Sequence, residues 1–299
     1  MISIIPMNPI FDCIVIGAGI AGSTASIYLK RAGFKILLLE KKSVGGQIVN
    51  TSEIENYPTI LSTDGFQFSN NLKKQLENLN IEIKYEEVMD IKNNEIKEVV
   101  TRKGSYFTKN IIIATGRIPR KLQIEHADEL LGKGVSYCAT CDGFFYKNKD
   151  VAILGGGNSS LEAAIYLSRL CHQVTIINRS HQLRADQGLI QQVSELKNVN
   201  ILYNENIQSM ESQNEHLSKL ILNHSELEVE GLFVYIGLVP TLPFIKYLDL
   251  NLEDGYIVVD SKMKTNLDGI YACGDIIKKD LYQIVTASSE GAIAASNIK

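Results

Sequence analysis

A glycine-rich segment that occurs twice in the same register is the strongest constraint on the fold of this 299-residue chain. The first copy, FDCIVIGAGIAGSTASIYLKRAGFKILLLEKK, reads as strand, glycine turn, helix and strand. The second copy, KDVAILGGGNSSLEAAIYLSRLCHQVTIINRS, has the same order. In both, 21 residues separate the second glycine of the turn, Gly19 or Gly157, from the end of the second strand at Glu40 or Asn178. The sequence therefore predicts two βαβ units of the dinucleotide-binding type.

The glycines of each turn suit the binding of a pyrophosphate. The first allows a tight turn, and the second lets the anion approach the backbone at a helix N-terminus. A single such motif can also be a plain turn between a strand and a helix, but two copies in one register favour nucleotide binding. The predicted contacts are Gly17, Gly19 and Gly22 in the first copy and Gly155, Gly157, Asn158 and Ser159 in the second, where Ser160 takes the third glycine position.

The residues that end the second strands favour different nucleotides. Glu40 can accept hydrogen bonds from a ribose diol and would repel a 2′-phosphate, so the first unit suits the adenosine of FAD or NAD. The second unit ends in Asn178 and Arg179, with Arg184 shortly after. These two cations suit the 2′-phosphate of NADPH, although they could also be solvated surface charges.

Charge and composition limit which partners and cellular compartments are expected. The net charge of −4 argues against nucleic acid as a partner. No run of eighteen apolar residues predicts a membrane span, and the first basic residue is Lys30, which is unlike a secretory signal. We expect a cytoplasmic protein without a membrane anchor.

The sequence CATC at Cys138–Cys141 requires a separate explanation. A zinc site needs two further ligands, and no second cysteine pair or suitably spaced histidine pair is present, so no metal is predicted. A permanent bridge across so short a loop would add little stability. A redox pair that opens and closes remains, because a dithiol at this spacing can form an easily reduced disulfide. Cys13, Cys171 and Cys273 lie in apolar patterns and are expected to be buried.

With these motifs, the chain resembles the low-molecular-weight thioredoxin reductases over nearly its whole length. The motifs that support the resemblance are GAGIAG (17–22), GGQ (45–47), ENYP (55–58), ATG (114–116), GKGVSYCATCDGFFYKNKDVAILGGGNSSLEAA (132–164), FVYIGLVP (233–240) and YACGDI (271–276). The stretch around CATCDG is the most specific of these.

The resemblance implies an α/β fold of two Rossmann-like, three-layer dinucleotide-binding domains, the second inserted into the first. The FAD-binding domain would comprise residues 1–117 and 244–299. The NAD(P)H-binding domain, with the cysteine pair, would comprise residues 118–243. This inserted domain is expected to swivel, because its nicotinamide site and its cysteines cannot both face the flavin at once. Family members commonly form homodimers, and we expect the same here.

Further FAD contacts follow from the resemblance. Gly274 is expected to begin a helix aimed at the ribityl-phosphate, with Asp275 on a ribityl hydroxyl, although Asp275 could also be a helix N-cap. Val88 is expected to touch the adenine through its backbone. The remaining predicted contacts are the Gly17, Gly19 and Gly22 turn and Glu40, with Gln47, Asn56, Gln283 and Ile284 near the flavin.

The implied activity is that of a thioredoxin-disulfide reductase with thioredoxin as its partner. Electrons would pass from NADPH to FAD, then to the Cys138–Cys141 disulfide and on to thioredoxin. Cys141 would face the flavin and Cys138 would attack the thioredoxin disulfide. Asp142 would protonate the leaving thiolate, although it could instead be a turn residue before Gly143.

Three positions depart from the family pattern. Ser180 replaces one of the arginines usual after the second strand, Ser160 stands where alanine is usual, and Tyr282 stands where an arginine commonly precedes the glutamine near the flavin. Losing one charged contact to phosphate can weaken binding roughly tenfold to a hundredfold. Because the chain nevertheless keeps the second glycine motif, GGGNSS, with its strand and helix, we predict NADPH as donor, with NADH or a non-nucleotide donor such as ferredoxin as the alternatives.

Overall fold

The computed structural model describes residues 9–51, 53–240, 242–245 and 248–299. The chain divides into two compact units. The outer unit comprises the chain up to Ile118 together with Val239–Lys299, and the inserted unit comprises Pro119–Leu238. The first boundary predicted from the sequence, 117/118, lies next to the observed one. The second predicted boundary, 243/244, lies later in the chain than the observed division between Leu238 and Val239.

The described part of the chain contains many short strands. In chain order they are β1 (Ile10–Ile16), β2 (Ile36–Glu40), β3 (Ile83–Tyr85), β4 (Val88–Lys92), β5 (Lys97–Thr101), β6 (Gly104–Ile113), β7 (Arg117–Pro119), β8 (Val135–Ser136), β9 (Asp150–Leu154), β10 (Gln173–Asn178), β11 (Val199–Tyr203), β12 (Ile207–Gln213), β13 (His216–Leu222), β14 (Glu226–Glu228), β15 (Gly231–Val234), β16 (Leu238–Pro240), β17 (Leu252–Glu253), β18 (Tyr256–Ile257) and β19 (Ile270–Ala272).

The helices are α1 (Ile20–Arg31), α2 (Gly65–Asn78), α3 (Ala139–Asp142), α4 (Asn158–Ser168), α5 (Gln187–Ser194) and α6 (Ile284–Ser296), with 3-10 turns at Gly46–Asn50 and Gly143–Tyr146. After the first glycine turn the sequence predicts a helix from about Ile20 to Ala32, and the structure confirms it within one residue, with Gly33 following at a positive φ of 88°. Among the described helices, none is both long and apolar enough to cross a bilayer.

The outer unit is built on a sheet in the order β3-β2-β1-β6, all parallel. The first half of β6 pairs antiparallel with β5, and its second half pairs parallel with β19. Apolar runs such as Ile111–Ile113 are fully buried, which is typical of parallel strands covered on both faces. One face packs against α1, α2 and α6, and the other against side chains from β4, β5 and the segment after the second crossing.

The inserted unit repeats this plan on a five-stranded parallel sheet in the order β11-β10-β9-β15-β8. One face packs against α4 and neighbouring helical residues. The other packs against the antiparallel β12-β13-β14 sheet and the segment before β8. Both glycine turns therefore lie where a buried parallel strand ends and a helix begins, the place at which such folds bind nucleotides.

Candidate active site

The first glycine turn, between β1 and α1, is shaped to admit an anion. Gly17 has a φ of 103°, and a Cβ on it would lie 2.4 Å from the carbonyl oxygen of Ala114. A Cβ on Gly22 would lie 1.9 Å from the carbonyl oxygen of Gly17. Gly19, the N-cap of α1, has no atom within 4 Å of its Cβ position. Two glycines thus allow the chain to pack closely, and the third leaves the helix N-terminus open to a pyrophosphate.

Glu40 is tied to this turn by its carboxylate. Its Oε2 accepts a hydrogen bond of 2.7 Å from the backbone N–H of Ala18, and its Oε1 accepts one of 2.7 Å from that of Lys42. Each oxygen keeps a second lone pair, so the fixed carboxylate can still accept from a ribose diol. The geometry fits the predicted adenosine contact.

Three of the residues predicted to lie near the flavin make hydrogen bonds within the outer unit. The Asn56 side-chain amide donates to Gln283 Oε1 at 3.2 Å, and Gln47 Nε2 donates to the carbonyl oxygen of Arg117 at 2.6 Å. Gln283 is the N-cap of α6, and Ile284 is its first residue. Val88, in contrast, has its side chain buried in the core and its backbone paired with Thr101.

One prediction in this region is wrong, because Gly274 does not begin a helix. Its φ of 81° and the turn that follows are incompatible with helix entry, and α6 begins only at Ile284. The Gly274 N–H donates to Glu290 Oε2 at 2.9 Å, which holds this turn against α6. Asp275 is therefore not a helix N-cap, and its carboxylate pairs instead with Arg117 at 2.9 Å.

A group of charges around Asp275 escaped the sequence reasoning. The Arg117 guanidinium lies 4.0 Å from the ring centroid of Tyr282, so this cation stacks on the tyrosine that departs from the family pattern. Lys279 pairs with Glu290 at 2.8 Å and with Asp275 at 3.4 Å. Burial raises the pKa of Glu290 above its usual range. In the sequence, these residues show only as charged residues near the ends of apolar strands, and that pattern does not indicate which of them pair.

The second glycine turn, between β9 and α4, reproduces the first. Gly155 has a φ of 140°, and a Cβ on it would lie 2.3 Å from the carbonyl oxygen of Tyr235. Gly157, the N-cap of α4, has no atom within 4 Å of its Cβ position. Ser160, at the third position, is buried, and its hydroxyl has no hydrogen-bond partner within the described ranges. The turn is therefore open to a second pyrophosphate.

Asn178, the last residue of β10, makes different hydrogen bonds from Glu40, the last residue of β2. Asn178 is buried, and its Nδ2 donates to the carbonyl oxygens of Ser180 and Gln182, both at 2.9 Å. It therefore shapes the loop that follows and is not free to receive a ribose. Arg179 and Arg184 in that loop are exposed, and neither has an acidic partner in the part of the chain that the structure describes.

The other two predicted contacts of this turn lie on α4. Asn158 Nδ2 donates to Asp186 Oδ2 at 2.7 Å, so its amide braces the loop before α5. Ser159 is exposed at the helix N-terminus. The Arg184 N–H donates to the carbonyl oxygen of Gly156 at 2.7 Å, so the loop that carries the two arginines lies against the second glycine turn. Cations there would suit a 2′-phosphorylated dinucleotide bound at that turn.

The two cysteines of CATC are bonded to each other, with an S–S distance of 2.09 Å. Cys138 is the N-cap of α3, and the Cys141 N–H donates to its sulfur at 3.2 Å. Gly143 is right-handed with a φ of −56°, so Asp142 ends a helical turn and does not form an Asp-Gly reverse turn. A Cβ on Gly143 would lie 2.9 Å from Leu167, because α3 packs closely on α4.

Two neighbours of the disulfide, both missed by the sequence reasoning, hold it in place. Ser136 donates from its hydroxyl to Asp142 Oδ2 at 2.6 Å. The Tyr235 hydroxyl accepts a hydrogen bond of 3.0 Å from the Ala139 N–H. Tyr235 thereby contacts the first turn of α3 with its side chain and the second glycine turn with its backbone.

Two large apolar side chains shortly after the disulfide in the chain are exposed. Phe144 and Phe145 follow Gly143 directly, and 69% and 72% of their surfaces are exposed. Large apolar side chains exposed next to a reactive group are typical of a surface that contacts another protein. They escaped the sequence reasoning because an apolar pair after a glycine reads equally well as core.

The remaining cysteines are ill-suited to exchange chemistry. Cys13, Cys171 and Cys273 are unpaired and buried, as the sequence predicted. Burial raises the pKa of the Cys171 thiol to about 11 and raises the pKa values of Cys13 and Cys273 as well. Among the described residues, no three His, Cys, Asp or Glu side chains are grouped so as to hold a metal ion.

Comparisons with known proteins place this site in a family. The model of the pyridine nucleotide-disulphide oxidoreductases matches residues 11–291. The thioredoxin reductase of Listeria innocua is 39% identical over 295 residues, which cover 96% of this chain and 92% of that protein. The thioredoxin reductase of Bacillus subtilis is 37% identical and covers 97% and 94%. The crystal structure of Lactococcus lactis thioredoxin reductase superposes with a TM-score of 0.93 at 37% identity, covering 96% of this chain and 97% of that one.

Proposed function

This chain belongs to the thioredoxin reductases of the pyridine nucleotide-disulphide oxidoreductase family, and from that premise we propose that it uses NADPH and FAD to reduce the disulfide of thioredoxin. The observation that carries the proposal is the Cys138–Cys141 disulfide. It lies at the start of a short helix, beside a carboxylate and two exposed phenylalanines, in the unit that also holds the second glycine turn.

The two glycine turns would hold the two nucleotides. FAD and NADPH, when bound, supply the hydride and electron transfer that the protein's own side chains lack. The open N-terminus of α1, with Glu40 fixed beside it, supports FAD in the outer unit. The open N-terminus of α4, with the unpaired cations Arg179 and Arg184, supports NADPH in the inserted unit.

We assign the exchange step to Cys138. Its sulfur already accepts the Cys141 N–H at 3.2 Å, and such a donor stabilises negative charge on a thiolate. The Cys138 thiolate attacks one sulfur of the thioredoxin disulfide, forming a mixed disulfide and releasing a thioredoxin thiolate. Asp142, on the same helical turn, protonates that leaving thiolate. Cys141 then attacks Cys138, which restores the enzyme disulfide and releases the reduced partner.

Phe144 and Phe145 support a protein as the partner. A small-molecule disulfide would need a pocket, whereas two exposed rings next to the cysteine pair suit the apolar surface around the disulfide of another protein. We assign these rings to thioredoxin docking.

The decisive experiment replaces each cysteine and measures turnover. Cys138→Ser and Cys141→Ser should each lower thioredoxin reduction by more than about a thousandfold, because no dithiol can form. Cys171→Ser, which removes a buried and unpaired thiol, should retain activity. Equal turnover by the parent and Cys141→Ser would refute the proposed function.

The donor is tested in the same assay. NADPH, NADH and reduced ferredoxin should be supplied in parallel to the FAD-loaded enzyme and a cognate thioredoxin. We expect NADPH to bleach the flavin absorbance at the lowest concentration. Failure of NADPH to bleach the flavin would reject it as the donor and leave one of the two alternatives.

We further propose, from family membership, that the enzyme works as a homodimer in the cytoplasm. Three unpaired cysteines besides the redox pair suit a reducing compartment. Sedimentation of the FAD-loaded enzyme should show a dimer, and a species the size of one 299-residue chain would contradict this.

A further inference from the structure

We propose that Ser136 is the positioning residue that holds Asp142 beside the cysteine pair in both of its protonation states. The inference deepens the proposed function and rests on the assignment of Asp142 as the acid. Ser136 lies on β8, two residues before Cys138, and only 3% of its surface is exposed.

The hydrogen bonds around Ser136 determine where its proton points. The Cys138 N–H donates to Ser136 Oγ at 3.0 Å, so one lone pair of the hydroxyl is occupied. Its single hydrogen then has two acceptors: Asp142 Oδ2 at 2.6 Å and the Cys138 carbonyl oxygen at 3.3 Å. The shorter bond is the one that a charged carboxylate attracts.

The second acceptor makes the arrangement reversible. When Asp142 is ionised, Ser136 donates to it. When Asp142 carries a proton, the carboxylic acid can donate to the free lone pair of Ser136 Oγ, and the serine hydrogen can turn to the Cys138 carbonyl oxygen. A residue that gives a proton to the thioredoxin thiolate and regains one from the Cys141 thiol needs a partner for both states.

Among the described groups around Asp142, Ser136 is the one that can hydrogen-bond to its carboxyl in both protonation states. The titratable groups that face Asp142 are the buried phenol of Tyr146, the half-buried phenol of Tyr235 and the cysteine pair itself. Within the described ranges, no cation pairs with Asp142, and no other group donates a hydrogen bond to its carboxylate. Because Ser136 belongs to a strand paired with β15, it stays fixed while the disulfide opens and closes.

The test compares Ser136→Ala with Ser136→Thr in the FAD-loaded enzyme. Ser136→Ala should lower kcat for thioredoxin reduction about tenfold, as expected for one hydrogen bond to a charged group. The pH at which the rate falls on the alkaline side should move upward, because Ser136 makes its stronger hydrogen bond to the ionised carboxylate and its loss therefore favours the protonated acid. Ser136→Thr keeps the hydroxyl and should keep the pH profile. Thr175→Val, an equally buried hydroxyl on β10, is the matched control and should leave the profile unchanged.

Two further measurements separate positioning from folding and from the proposed function. Bleaching of the flavin by NADPH should be the same in Ser136→Ala as in the parent, because that half-reaction does not use Asp142. In an Asp142→Asn background, adding Ser136→Ala should cost little more, since the two act as one unit. An unchanged pH profile in Ser136→Ala would overturn the inference. So would a loss of kcat on adding Ser136→Ala to Asp142→Asn that is as large as the loss in the parent enzyme. A parent enzyme that fails to reduce thioredoxin would instead overturn the function.

Discussion

The two glycine turns have nearly the same backbone and very different surroundings. A Cβ on Gly17 or Gly155 would lie 2.4 or 2.3 Å from a carbonyl oxygen of a neighbouring strand end, and the space beside Gly19 or Gly157 is open. The shared backbone accounts for the capacity to bind a dinucleotide. The side chains around each turn must then determine which dinucleotide is bound and how firmly.

The charges differ most. Around the outer turn, Arg117 and Asp275 pair with 15% and 24% of their side chains exposed. Around the inserted turn, Arg179 and Arg184 are exposed and have no acidic partner in the described ranges. A preorganised, mostly buried set of charges suits a cofactor that stays bound, whereas solvated cations suit a ligand that must leave after each turnover.

The largest expected effect comes from filling either turn. Gly17→Ala should yield protein without FAD, and Gly155→Ala should yield yellow protein that NADPH no longer bleaches, because each Cβ would overlap a carbonyl oxygen at a positive φ. Absorbance of the purified proteins and titration with NADPH measure the two losses. Gly33→Ala, also at positive φ but with nothing within 4 Å, is the control and should cost only about 1 kcal/mol of stability. Loss of FAD from Gly155→Ala would show that the turns are not independent.

The next effect concerns the paired charges of the outer turn. Arg117→Ala should destabilise the protein by about 3 kcal/mol, because it leaves Asp275 mostly buried with only the Lys279 contact at 3.4 Å. The FAD released on dilution, followed by its fluorescence, should increase. Arg117→Lys keeps the charge but not the stacking on Tyr282 and should fall between. Tight FAD binding by Arg117→Ala would show that this ion pair does not help to keep FAD bound.

The exposed cations of the inserted turn should affect substrate binding alone. Arg179→Ala and Arg184→Ala should each raise the KM for NADPH roughly tenfold to a hundredfold, with kcat and the KM for NADH little changed. Arg169→Ala, at the far end of α4, is the control. An equal loss with NADH would show that these arginines do not recognise a 2′-phosphate.

A smaller effect is the pH dependence of protein stability that Glu290 causes. Burial raises the pKa of this carboxyl in the folded protein, so the folded state holds the proton more tightly than the unfolded chain. Its contribution to stability is therefore largest below the ordinary value of 4.5 and declines as pH rises through the folded pKa. Glu290→Gln should remove that decline in urea unfolding measured across pH. Glu195→Gln, an exposed carboxyl at the end of α5, should not.

The smallest effect tests the third position of the inserted turn. Ser160→Ala should stabilise the protein by about 1 kcal/mol, because the buried Ser160 hydroxyl has no partner within the described ranges. Thermal unfolding measures the gain, and Ser212→Ala on exposed β12 should show none. A loss of stability in Ser160→Ala would reveal a partner for that hydroxyl, such as bound water.

Much of the framework was predictable from local pattern. The helix after the first turn, the strand ends at Glu40 and Asn178 and the buried cysteines all follow from apolar periodicity and glycine placement. The helix expected at Gly274 was wrong, because a contact from Glu290 on α6 holds that segment as a turn. Such a contact leaves no periodic signal near Gly274.

By itself, the sequence determined two strand–glycine–helix units and a cysteine pair, since backbone conformation and side-chain burial depend on near neighbours and leave a periodic record. Only the tertiary structure decided which side chains complete each site. Arg117 reaches Tyr282, Gln47 reaches the Arg117 carbonyl and Ser136 reaches Asp142 because packing of the sheets and helices brings these groups within hydrogen-bond or ring-contact distance. Short-range polar contacts of this kind depend on three-dimensional position, which residue spacing does not encode.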